Sequence, residues 1–173
     1  LWLATDNGVF VFNPDRQFFN TSKYLWNNGK IEEKELAINA IIESSDGTVY
    51  AGSWGLGTLT WDANMNPIPN QVLKGLPDKT AHKQKWCIYE DKVHHKIWFG
   101  CQEGWVIIYD QQTKRSVFHQ VPGIQEKTIR QIIADKKGNI WLGSQYGHLV
   151  KWTPTAGFGS GFLKGFEVKQ NIG

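Results

Sequence analysis

Sulfur is scarce in this chain: two Cys and one Met among 173 residues. Two thiols are too few for a disulfide scaffold, and Cys87 and Cys101 lack the close spacing of a zinc site. No apolar run approaches the roughly 20 residues of a membrane-spanning helix. A dense basic block is also missing. The 19 Lys and Arg stand against 16 Asp and Glu, for a net charge of +3. A dedicated nucleic-acid binder would gather its cations. At 40% hydrophobic and 20% charged, the chain is not of disordered composition, and it is long enough to bury a core. Aromatics are plentiful instead: nine Trp, nine Phe and five Tyr, beside 18 Gly.

The aromatics recur in order. Leu1-Trp2-Leu3-Ala4-Thr5, Val49-Tyr50-Ala51-Gly52-Ser53, Ile97-Trp98-Phe99-Gly100-Cys101 and Ile140-Trp141-Leu142-Gly143-Ser144 share one pattern, with the ring at position 2, 50, 98 and 141. A period in the forties marks a repeat architecture. Ahead of three signatures lie the turns Ser45-Asp46-Gly47, Lys92-Val93-His94-His95 and Lys136-Lys137-Gly138-Asn139, and ahead of those the apolar runs 38–42, 86–89 and 129–134. Asp-Gly and Gly-Asn tolerate the positive φ of tight hairpins. After each signature come a Gly-containing turn and a third apolar segment, at 9–12, 58–61, 105–109 and 148–152, then a weaker fourth such as Ser116-Val117-Phe118-His119. The runs are short, rich in Val, Ile and aromatics, and bounded by turns, so they read as strands. The one segment with a helical look, Ile31 to Ala37, is short and polar and reads as a solvated loop.

Four-stranded antiparallel units of this length are the blades of a β-propeller. The expected fold is all-β, a propeller fragment of about three and a half blades: an incomplete blade over 1–37, then blades over 38–84, 85–127 and 128–173. Face-to-face packing buries both sides of a blade's middle strands and explains their continuous apolar runs. Trp2, Trp98 and Trp141 are expected between blades, and Gly52, Gly100 and Gly143 where a neighbour approaches closely. The chain reads as an excerpt of a larger protein, or as a fragment that covers its open blade faces with another copy.

The units closely resemble the two-component regulator propeller repeat. Ile132-Ile133-Ala134-Asp135-Lys136-Lys137-Gly138-Asn139-Ile140-Trp141-Leu142-Gly143-Ser144 follows its pattern nearly throughout. The second unit follows with Ser45-Asp46-Gly47, Gly52-Ser53, Gly55-Leu56 and Trp61-Asp62. The third lacks the turn glycine and carries Cys101 in place of Thr or Ser. The resemblance implies a periplasmic sensor module of a hybrid histidine-kinase regulator, in a family whose repeats usually form seven-bladed propellers. Many such regulators detect breakdown products of complex carbohydrates. It further implies that any kinase lies outside this chain, that any membrane link runs through the parent protein, and that the chain itself is no enzyme and needs no cofactor.

A propeller places the start of each first strand beside the loop after each second strand. That gathers Asn39, Trp86 and Arg130 with Trp54, Gln102, Gln145 and Tyr146. Rings that cover apolar sugar faces, beside amides and a guanidinium that bond hydroxyls, suit an oligosaccharide. The competing explanation is that these rings pack blades or contact a protein, as aromatics at interfaces do. A scaffold propeller for protein partners is therefore the alternative function, and a propeller lyase or hydrolase with its site on other blades is a third. Asp46 and Asp135 sit at repeated turn positions and read as turn formers, with no catalytic residues assigned. His94-His95 lies in a hairpin, where adjacent side chains diverge, so no metal is assigned. Cys87 and Cys101 flank that hairpin and read as free buried thiols, their relative facing hanging on register. Asn20-Thr21-Ser22 spells a glycosylation sequon by chance.

Overall fold

The computed structural model describes residues 1–13, 18–25, 30–32, 36–77 and 84–170. It is all-β, with antiparallel sheets in chain order. Blade 1 contains β1 (Trp2–Thr5), β2 (Gly8–Asn13) and β3 (Phe18–Thr21). A small hairpin follows, β4 (Tyr24–Leu25) with β5 (Ile31–Glu32). Blade 2 contains β6 (Ile38–Glu43), β7 (Val49–Ser53) and β8 (Gly57–Trp61). Blade 3 contains β9 (Lys85–Asp91), β10 (Lys96–Cys101), β11 (Trp105–Asp110) and β12 (Arg115–Gln120). Blade 4 contains β13 (Ile129–Ala134), β14 (Ile140–Ser144), β15 (Leu149–Trp152) and β16 (Phe166–Gln170).

Three departures from the sequence reading have local causes. Ile31 and Glu32, read as loop, pair with Leu25 and Tyr24; residues 33–35 of that segment lie outside the described residues. In blade 2 the described residues of the fourth segment form no strand. Pro67 and Pro69 lack N–H groups, so the edge of β8 is met only by a bridge from Trp61 to Pro67 and by bonds around Ile68. Side chains finish that edge: Thr60 Oγ1 donates to the Ile68 carbonyl at 2.9 Å, and Asn70 Nδ2 to the Thr58 carbonyl at 2.6 Å. In blade 4, two 3-10 turns (Pro154–Ala156 and Phe162–Gly165) interrupt the path from β15 to β16.

The first three signature rings each pack on the following blade. Trp2 joins Val49, Ala51, Leu59 and Trp61 of blade 2. Tyr50 meets Phe99 and Tyr109 of blade 3 at centroid distances of 6.1 and 6.3 Å. Trp98 meets Trp152 of blade 4 at 5.3 Å, with Phe158 and Phe162 completing a ring cluster. Aromatic pairs of this kind add about 0.5–1.5 kcal/mol beyond the area they bury. Trp141 repeats the position with no following blade among the described residues. It is half-buried rather than core, and its indole donates to Asp135 Oδ2 at 2.9 Å. Among the described residues the fully buried tryptophans are Trp61, Trp98 and Trp152. Close approach at the glycines is seen twice. A Cβ on Gly52 would stand 2.6 Å from Lys85 Cβ, and one on Gly100 would stand 2.8 Å from Ile129 Cγ2, both in the next blade. Gly143 is looser, facing Gln131 of its own blade at 3.7 Å.

Candidate functional site

The first strands β6, β9 and β13 lie side by side, and each carries a β-bulge near its start. In β6, Ile38 pairs with Ser53 and Ala40 with Gly52, leaving Asn39 as the extra residue. In β9, Lys85 pairs with Cys101 and Cys87 with Gly100, leaving Trp86. In β13, Ile129 pairs with Ser144 and Gln131 with Gly143, leaving Arg130. A bulge frees one residue from the ladder and re-aims its side chain. Asn39, Trp86 and Arg130 are thus the same position in three successive blades. Trp54, Gln102 and Gln145 are likewise equivalent, each directly after the last residue of a second strand.

Three of the seven candidates meet, and a fourth, Asn39, is tied to the residue before one of them. The Arg130 guanidinium carbon lies over the Trp86 ring, 3.8 Å from its centroid. Trp54 stands edge-on to Trp86 at 5.1 Å and 85°. Asn39 Nδ2 donates to the Lys85 carbonyl at 3.0 Å, tying the bulge of blade 2 to the first strand of blade 3. Trp86 is thus engaged by a cation over one ring face and by a perpendicular ring, while Trp54 remains 47% exposed. Arg130 is exposed.

The other three stand in the neighbouring loops. Tyr146 is 66% exposed and held at φ 66° in the turn after β14. Lys127 Nζ lies 5.3 Å from its ring centroid, a partner not anticipated from sequence. Gln145 is positioned by its backbone, whose N–H donates to the Thr128 carbonyl at 2.7 Å. The equivalent Trp54 N–H donates to Ala37 at 3.0 Å. Gln102 accepts from the Trp105 N–H within its own turn at 3.0 Å.

Beneath the ring stack lies a residue that pattern reading passed over. Lys85 is fully buried, and burial lowers its pKa from the usual lysine range. Its Nζ, the Trp86 indole N–H and Gln84 Oε1 are buried without hydrogen-bond partners. The signal was available: Lys85 stands where Ile38 and Ile129 stand in the adjoining units. Both thiols are free and buried. Register settles their facing, with Cys87 opposite Gly100 and Cys101 opposite Lys85. Burial pushes the Cys87 thiol up to about 12 and the Cys101 thiol upward as well.

The far ends of blades 3 and 4 form a groove of about 700 Å³ lined by Tyr89, Asp91, His94, Asp135 and Pro154. There His94 Nδ1 and Asp91 Oδ2 are 2.7 Å apart.

The two-component regulator propeller family model matches residues 123–146. Comparison with curated proteins gave no match. Among solved structures, the chain is similar to extracellular domains described as those of a hybrid two-component system and a one-component system, both from B. thetaiotaomicron. Identities are 22% and 19%, TM-scores 0.67 and 0.65, with 88% of this chain covered in each case. It also resembles the WD40 repeats of RRP9, at 12% identity and TM-score 0.53 over 70% of this chain and 36% of that one. The chain spans about a fifth of the two B. thetaiotaomicron domains, 20% and 19% of their length. These likenesses give the fold, a β-propeller segment, and within it residues 123–146 match the two-component regulator propeller repeat.

Proposed function

We propose that this chain is part of an extracytoplasmic sensor propeller of a two-component regulator, and that it binds a carbohydrate breakdown product at the Trp54–Trp86–Arg130 row. The output, a histidine kinase, would lie outside the chain. The row itself carries the proposal: three bulges at one position of three blades direct an amide, an indole and a guanidinium to one place. Trp54 offers a ring face for the apolar side of a sugar, and Arg130 offers paired N–H donors for hydroxyl or carboxylate oxygens. Ligand binding would signal by favouring one arrangement of the sensor over another, which requires unequal affinity for the two.

The test is a glycan panel titrated against tryptophan fluorescence, using a propeller that contains this chain. A binding sugar should quench or shift the emission. Trp54→Ala should weaken it by about tenfold or more, the scale of one lost aromatic contact of 1.4 kcal/mol. Unfolding temperature should change little, because Trp54 is half exposed. A panel without any response, together with capture of a protein partner that Trp54→Ala abolishes, would instead make the row a protein-docking surface.

A further inference from the structure

Blade 3 departs from its neighbours twice, and the two departures face each other. At the first residue of the first strand, blades 2 and 4 have Ile38 and Ile129, where blade 3 has Lys85. At the last residue of the second strand they have Ser53 and Ser144, where blade 3 has Cys101. These two positions are register partners in blades 2, 3 and 4: Ile38 with Ser53, Lys85 with Cys101, Ile129 with Ser144. An apolar–hydroxyl pair has thus become an amine–thiol pair.

The surroundings isolate that pair. Lys85 and Cys101 are both 0% exposed. The Lys85 stem packs against Gly52 of blade 2, and its Nζ has no oxygen or nitrogen partner. The Cys101 thiol donates to the Phe99 carbonyl at 3.7 Å, and the residue stands opposite Lys85 in the strand register. A core needs neither group here, since isoleucine and serine serve in the blades on either side.

We propose that Lys85 and Cys101 form an oxidisable pair that closes into a covalent sulfenamide between β9 and β10. The oxidant is a hydroperoxide, taken below as hydrogen peroxide. The Lys85 amine accepts the thiol proton, giving a thiolate beside an ammonium. The thiolate sulfur attacks one peroxide oxygen and the O–O bond breaks. Cys101 becomes a sulfenic acid, and the departing hydroxide takes the proton back from Lys85 to form water. The neutral amine then attacks the sulfenic sulfur, the S–O bond breaks, and a second water leaves. In sum, amine, thiol and one peroxide give one N–S bond and two waters; sulfur loses two electrons and the peroxide gains them. Burial favours the neutral amine that the last step needs. The same burial opposes a free thiolate, which is why the amine opposite is needed as its base.

The test is peptide mass mapping of the purified chain after hydrogen peroxide, without reductant, with a denatured sample as the control for oxidant activity. The expected result is a cross-link joining the peptides that carry Lys85 and Cys101, with a loss of about 2 Da, reversed by dithiothreitol. It should persist in Cys87→Ser and vanish in Lys85→Met and Cys101→Ser. A cross-link that vanishes in Cys87→Ser is a Cys87–Cys101 disulfide and overturns the proposal. So does stepwise gain of oxygen on Cys101 that is the same in Lys85→Met, and so does a Cys101 that stays unmodified while the denatured control oxidises.

Discussion

The contact between blades 2 and 3 and the contact between blades 3 and 4 have the same backbone and different chemistry. Each has a signature ring from the earlier blade, a glycine under the later blade's first strand, and a bulge residue at the mouth. Between blades 3 and 4 these are Trp98, Gly100 and Arg130, and the glycine faces Ile129. Between blades 2 and 3 they are Tyr50, Gly52 and Trp86, and the glycine faces Lys85. The repeat therefore fixes where strands turn, bulge and touch, while the side chains at those points remain free to differ. One contact became an apolar cluster around four rings, Trp98, Trp152, Phe158 and Phe162. The other accepted a buried amine under its candidate site.

Trp98→Ala should break this comparison most severely. It empties the centre of the apolar contact, and truncating a buried tryptophan costs about 3–5 kcal/mol. Tyr50→Ala should cost less, because its ring has two aromatic neighbours where Trp98 has three. Chemical denaturation of both variants checks the order, and equal losses would mean that ring clustering does not set the difference. Gly100→Ala comes next. Its new methyl would press first on the Cys87 sulfur and then on the branched Ile129 side chain, and overpacking of this kind costs about 1–3 kcal/mol.

Lys85→Met sharpens the comparison from the other side. It keeps the stem and removes the unpartnered nitrogen, so it should stabilise by about 1–2 kcal/mol at neutral pH, the scale of an unsatisfied buried polar group. The sign with pH follows from linkage. Lys85 titrates below 10.5 when folded, so between its folded and unfolded values the unfolded chain binds the extra proton, and stability rises with pH there. The gain from Lys85→Met should therefore shrink as pH is raised toward 10.5. A gain independent of pH would place the amine in a charged, satisfied state.

Much of this was legible in the sequence because repeats reinforce one another. Four signatures, each followed by a Gly-containing turn, and their spacing fixed the strands. Equivalence of loop and strand positions brought Asn39, Trp54, Trp86 and Arg130 to one place. The rest depended on details that a pattern does not carry. The bulges that single out Asn39, Trp86 and Arg130 arise from register, which no hydrophobic pattern states. Trp86 looked like an open platform until Arg130 was found over its face. Lys85 was skipped because a lone lysine among apolar residues looks like a strand end, and only comparison with Ile38 and Ile129 marks it. Trp61 and Trp152 were passed over as core because they end third strands, outside the signature.

The smallest effect concerns the hairpin turns, and it compares blade 4 with blade 3. In blade 4, Asp135 accepts four hydrogen bonds: from the Lys137 and Asn139 backbone N–H groups, from Asn139 Nδ2, and from the Trp141 indole. Asn139, then Trp141, holds the carboxyl well below the usual 3.8. In blade 3 the turn lacks the Asp-x-x-Gly pattern, and Asp91 is engaged by the His94 backbone N–H and ring. Because Asp135 is depressed only when folded, its contribution is present above about pH 3.8 and is lost as pH falls through the folded value. Unfolding temperature measured from pH 6 down to pH 2 should therefore fall more steeply in the parent chain than in Asp135→Asn, and the two curves should converge at the acid end. Trp141→Phe removes the second of these donors and should flatten the acid limb by a smaller amount in the same direction. Parallel curves would mean that Asp135 binds its proton equally in both states, and that the turn is held by Gly138 and Asn139 alone.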